Sequence, residues 1–154
     1  GSDTLGINKE IGIAYLIRRD WKNAYRYYKN TEYRDMDYGF VLMKMGRQDS
    51  AMIYIDKAIA FRMETPRPWQ WDLSRLYAIK GDVNRAVYYF KEGRKTGIHM
   101  YDWVKNDPYW DSIRHTSEFK KAQSEFYKRN SEMISRIRLN EQKKAVPALI
   151  QGGA

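Results

Sequence analysis

The chain contains no cysteine, which excludes a disulfide framework, a thiolate metal site and a cysteine nucleophile. Its two histidines, His99 and His115, stand in no metal-ligand spacing. His115 lies between Arg114 and Thr116 at an expected helix boundary and reads as a capping or surface group; His99 follows the turn at Gly97 and reads the same way. No apolar run approaches the roughly 20 residues that cross a bilayer. The segment Gly46-Arg47-Gln48-Asp49 lacks the Gly-Lys-Ser/Thr ending of a phosphate-binding loop. No strand-turn-helix nucleophile elbow is recognisable, and Asp35/Asp37 read as turn and helix-start groups rather than a catalytic dyad. No catalytic residue, metal site or cofactor is therefore expected.

What is present suits one domain with a real core: 154 residues, 43% hydrophobic and 31% charged. Thirteen Tyr and five Trp supply large rings that fill helix interfaces and also make recognition surfaces. The net charge of +9 favours acidic partners of any kind. The basic residues are spread along the chain, in runs no longer than pairs such as Arg18-Arg19, Lys120-Lys121 and Lys143-Lys144, and read mostly as a solvated surface. Gly1-Ser2, with no Met, reads with residues 3–4 as a tag scar and N-terminal tail.

Three segments align on small residues. They are Gly12-x2-Tyr15-x8-Ala24-x3-Tyr28, then Gly39-x2-Leu42-x3-Gly46-x4-Ala51-x3-Ile55-x2-Ala58, then Ser74-x2-Tyr77-x3-Gly81-x4-Ala86-x3-Phe90-x2-Gly93. Small residues at the 39-type and 51-type positions allow two helices to approach, while the large residues fill the space between hairpins. Gly46 and Gly81 fall where the first helix of a hairpin must end, because Gly takes the left-handed cap conformation without a Cβ penalty. Asp49 and Asp82 fall at the start of the next helix, where a carboxylate caps free amides. Pro66 and Pro68 break the chain before the third unit.

This pattern resembles the tetratricopeptide repeat family, whose repeat is about 34 residues long, over residues 5–97. The third unit matches best, through Leu73, Tyr77, Gly81-Asp82, Ala86 and Phe90. In the first, Arg19 replaces the turn Gly and Thr31 the late Ala, and Ala24 to Ala51 is only 27 residues against 35 from Ala51 to Ala86. The resemblance implies an all-α fold: an α-solenoid of about three hairpins (5–31, 33–62 and 68–97), with capping helices over 98–126. Asp107-Pro108, Trp110, Ile113-Arg114 and Phe119 resemble the segment that seals such arrays in bacterial signalling and regulatory proteins. Asp107-Pro108 is a helix start, and Thr116 is a second cap with Glu118 in the turn after it.

From Thr116 to Lys144 no Pro or Gly occurs. Phe119, Ala122, Phe126, Met133 and Ile137 recur at helical spacing, so 117–144 reads as a long basic amphipathic helix. It packs on the repeats, pairs with another chain in self-association, or leads into a further domain; the sequence leaves the three open. Pro147 and Gly152-Gly153 mark 145–154 as a loose tail.

By the resemblance, the first helix of each hairpin lines a concave face. That face takes Lys9, Ile13 and Leu16, then Tyr33, Met36, Phe40 and Met43, then Trp71, Arg75 and Ala78. The expected function is a non-catalytic scaffold that holds a protein or peptide partner on Tyr33, Met36, Phe40, Met43, Trp71 and Arg75, as a module of a larger bacterial signalling, regulatory or assembly protein. The chain's own helix 117–144, through Phe126, Met133 and Ile137, is the competing occupant. The family's clamp for an acidic chaperone peptide is not matched, since Ile13, Phe40, Pro68 and Asp72 replace its polar positions and only Lys9 agrees. The alternative function is RNA binding by basic and aromatic surface residues. Nucleic acid is the less favoured partner, because few basic residues fall on the deduced concave face.

Overall fold

The computed structural model describes residues 2–29, 36–95 and 101–151, with the backbone alone at 2–5, 101–102 and 144–151. Among them the chain is helical throughout, with no strand. Three pairs come first: α1 (Ser2–Ile17) with α2 (Trp21–Tyr28), α3 (Met36–Lys44) with α4 (Gln48–Glu64), and α5 (Gln70–Ile79) with α6 (Val83–Lys95). Lighter contacts of α2 with α3 and of α4 with α5 join successive pairs into a repeat-like helical array. The short α7 (Tyr101–Asn106), a 3-10 turn at Pro108–Trp110 and the long α8 (Ser117–Gln151) complete the described chain.

All three hairpins turn through the same cap. Gly46 and Gly81 both have φ of +75°, and each donates its N–H to a carbonyl three residues back, Met43 and Ala78. The next residue reaches five back, Arg47 to Leu42 and Asp82 to Tyr77. These paired bonds satisfy carbonyls that a helix end leaves open. In the first hairpin Arg19 makes the same pair of bonds, its own N–H to Leu16 and that of Asp20 to Tyr15, at φ +60°. The missing turn Gly thus changes the strain of the turn and not its geometry, since a side chain at positive φ costs about 1–2 kcal/mol.

The small residues do bring the helices together. A Cβ added at Gly39 would lie 3.1 Å from both Tyr54 and Ile55 and 3.3 Å from the Ala51 carbonyl oxygen. Ala24, Ala51 and Ala86 are wholly buried. In the third hairpin Ser74 replaces Gly and donates to the Ala86 carbonyl at 2.8 Å. Capping is less uniform than expected. The Asp20 and Asp82 side chains accept from the N–H groups of Asn23 and Arg85, whereas α4 has Arg47 at its N-cap and Asp49 stays exposed in its first turn.

Two cores follow. One lies between α1 and α4, with Leu76 and Tyr109 reaching into it. The other gathers Trp71, Phe90, Trp110, Phe119 and Phe126, whose rings meet at centroid distances of 5.2–6.0 Å. Trp110 Nε1 donates to Ser74 Oγ at 3.0 Å, so the 3-10 turn is locked to the third hairpin. Thr116 Oγ1 caps α8 by accepting from Phe119 N. Among its described side chains, α8 enters the core through Phe119, Ala122, Phe126 and Asn130. Residues 131–143 are mostly exposed, and the helix runs through Pro147 to Gln151. Pro147 removes one N–H, and the Ala, Leu and Ile around it are compatible with helix.

A candidate interaction cleft

A cleft of about 360 Å³ opens where α1, α3, α5 and the 103–109 segment converge. Its apolar lining comes from Ile13, Leu16 and Ile17 of α1 and Met36 of α3, with Trp69 and Trp103. Ile17 and Trp103 keep 41% and 48% of their surface exposed, so both rims are open to a ligand. Lys9 stands on the α1 side.

The floor is ionic and internally neutralised. Arg75 Nε and Nη2 lie 2.8 and 2.7 Å from Asp107 Oδ2, and Arg75 Nη1 lies 3.5 Å from Asp72. Asp72 in turn takes Arg62 Nε at 2.9 Å, while Arg62 Nη1 donates to the Ala58 carbonyl. Burial pulls the Arg75 pKa down, but Asp107 and Asp72 outweigh it and keep the guanidinium charged. Three rings surround that cation: Trp103 at 4.9 Å, Trp110 at 5.4 Å and Tyr109 at 5.6 Å. Asp37 accepts from the hydroxyls of Tyr109 and Tyr28. Tyr109 is buried, which with the Asp37 charge raises its phenol well above the ordinary 10.0.

The 107–109 segment belongs to this site because its own residues require it. Asp107 caps the 3-10 turn through Tyr109 N at 3.0 Å and spends its other oxygen on Arg75. Arg114 holds the segment from behind, donating to the carbonyls of Asp107 and Val104 at 2.6 and 3.1 Å.

The expected contact residues divide. Met36 and Arg75 line the cleft, as do Lys9, Ile13 and Leu16. Phe40 and Trp71 are buried, Phe40 between Trp21 and Tyr109 and Trp71 among Phe90, Trp110 and Phe126. Both are packing residues here, because the 107–110 turn lies over them. Met43 is half-buried against the first core, Ala78 is wholly buried, and Tyr33 lies outside the described residues. Among the described residues, α8 contributes none to the cleft lining. Its Phe126 enters the second core, while Ile137 is half exposed. Sequence reasoning missed Trp69, Asp72, Trp103 and Tyr109. The Asp107-Pro108 signal marked the turn but not the face against which it folds.

Comparison with protein-family models, curated proteins and solved structures finds no match. The reading of the cleft therefore rests on its geometry.

Proposed function

We propose that the protein is a non-catalytic interaction module of tetratricopeptide type, and that the cleft takes an apolar peptide or one face of a partner's helix. The observation that carries this reading is an apolar lining of Ile13, Leu16, Ile17, Met36, Trp69 and Trp103, open at Ile17 and Trp103, beside Arg62–Asp72 and Arg75–Asp107 pairs. A neutralised floor adds no demand for a charged ligand, and Met with Trp gives adaptable, concentrated contact area. Helix-in-groove recognition uses such surfaces through residues spaced three and four apart. The three like hairpin turns support the family reading, and the Asp107-Pro108 segment supports a place in a larger bacterial signalling, regulatory or assembly protein.

The test is selection of helical peptides from a display library against the wild-type chain, with Ile17→Glu/Trp103→Ala beside it. Both residues are rim positions, and since Trp103 also covers Arg75, the variant is used at a temperature where its melting curve shows it folded. Peptides with apolar residues at helical spacing that bind the wild type and are released by the variant would support the reading. Equal binding to both would exclude the cleft as their site.

A further inference from the structure

Pairing sorts the cations of this protein. Arg19, Arg62, Arg75, Lys80, Arg85, Arg94, Lys95 and Arg114 each face a carboxylate within 4 Å. A second group collects around α2. Lys22 and Arg26 stand at i and i+4, and Lys29, which has a contact of its own, at i+7, which places them on one side of the helix; all three are exposed. Helix α2 carries no acidic residue. Beside this stripe, Lys44 lies 5.7 Å over the Trp21 ring, and Arg47 lies 4.9 Å over the Tyr25 ring and donates to its hydroxyl. On the other flank Tyr27 stacks on Tyr15 at 5.6 Å. Arg18, in the turn that leads to α2, is also exposed. Among the described residues no carboxylate pairs with Arg18, Lys22, Arg26, Lys44 or Arg47. Asp20, two residues before Lys22, is held by Asn23 N and Nδ2.

We propose that this face of α2, with Lys44 and Arg47, binds single-stranded nucleic acid, on a surface separate from the apolar cleft. A row of cations tracks a phosphate backbone, and although Tyr25 already lies against Tyr38 and Arg47, the exposed Arg47 guanidinium plane and the partly exposed Tyr27 beside the row can stack on bases. An acidic peptide or an anionic membrane would use the cations and leave the rings idle. The exposed cations of α8 form the contrast. They alternate with Glu118, Glu125, Glu132 and Glu141, and the helix has no aromatic residue after Tyr127.

The experiment is fluorescence anisotropy of a labelled 20-mer of uridine with the whole chain, titrated between 50 and 200 mM salt. Four or five phosphate contacts give a log–log salt slope of roughly −3. Lys22→Gln/Arg26→Gln/Lys29→Gln should lose about 30-fold in affinity and flatten the slope by about 2. Lys121→Gln/Lys128→Gln/Arg136→Gln removes the same charge from α8 and should stay within about threefold of wild type. Gln has the helix propensity of Lys and Arg, so both variants keep the fold. Arg47→Lys keeps the charge and removes the plane, and should weaken binding several-fold at an unchanged slope. Crosslinking of a 4-thiouridine oligonucleotide to the wild type should place the adduct within residues 15–47. Equal losses in the two triple variants, an adduct on α8, polyglutamate or phosphatidylserine vesicles bound as tightly as the oligonucleotide, or no saturable binding at 50 mM salt would each overturn the proposal. Release of cleft-bound peptides by Ile17→Glu/Trp103→Ala, with oligonucleotide binding intact, would show that the two surfaces are independent.

Discussion

Arg75 and Asp107, 32 residues apart, meet through contacts of 2.8 and 2.7 Å with side chains only 9% and 5% exposed. This pair fastens the 3-10 turn to the third hairpin and sets the floor of the cleft. Removing one member of a buried pair leaves an uncompensated charge, which costs about 3–5 kcal/mol. Asp107→Ala should therefore lower stability by about that amount in urea titration, with a further loss from the uncapped Tyr109 amide. Arg75→Met/Asp107→Leu should recover much of it, since no lone charge remains. A single variant no worse than the double would show that the pair is not the fastening.

The three hairpin caps make a graded prediction. At Gly81, φ of +75° gives Gly81→Ala a destabilisation of about 1–2 kcal/mol, although a Cβ there would meet no neighbour within 4 Å. Arg19 already carries that strain. Arg19→Gly relieves it but gives up an exposed pair with Asp111 worth about 0–1 kcal/mol. Its melting temperature should stay within a few degrees of wild type while that of Gly81→Ala falls. The reverse order would mean that the first turn is not the homologue of the third.

Ser74 serves two partners, donating to the Ala86 carbonyl and accepting from Trp110 Nε1. Ser74→Ala leaves a buried indole N–H unpaired, which costs about 1–3 kcal/mol. Urea titration should show that loss at an unchanged m-value. The Trp110 emission should shift as its hydrogen bond is removed.

Tyr109 predicts alkaline sensitivity. Its folded pKa is raised well above 10.0, by burial first and by the Asp37 charge second. A raised folded pKa gives stability that is complete below the unfolded value and is lost as pH climbs, because the unfolded state then releases a proton that the folded state retains. Stability should fall as pH rises above about 10, and Tyr109→Phe should flatten that slope while lowering stability at neutral pH. An equally steep fall in Tyr109→Phe would assign the sensitivity to other groups.

The outer part of α8 carries little of the core. Ile134, Ile137 and Leu139 are 44–53% exposed, and Asn130 is the last buried residue among those described. Removing residues 134–154 should change unfolding free energy by less than about 0.5 kcal/mol, as surface changes generally do, while the far-UV helix signal drops. A larger loss would mean that the helix packs on the domain beyond Asn130.

The local rules were legible wherever one residue type has one physical solution. Gly46 and Gly81 announced their turns because few other residues take positive φ without strain, and Gly39, Ala24, Ala51 and Ala86 announced close helix contacts because nothing larger fits. Asp107-Pro108 and Thr116 announced caps for the same reason. The cleft was only partly legible. The repeat resemblance assigned Phe40 and Trp71 to an open inner face, but it could not say that the chain itself would cover them.

The sequence by itself determined the helices, the three turns and the small-residue contacts, because each depends on interactions within a few residues or on a steric limit at one position. Tertiary structure alone decided what lies on the inner face and where the charges gather. Arg75 finds Asp107 across 32 residues and Tyr109 finds Asp37 across 72, pairings that no local propensity specifies. The cations look evenly spread along the chain for the same reason. Folding neutralises many of them across hairpins and leaves others side by side on α2, since charge acts through distance in space and not through separation in sequence.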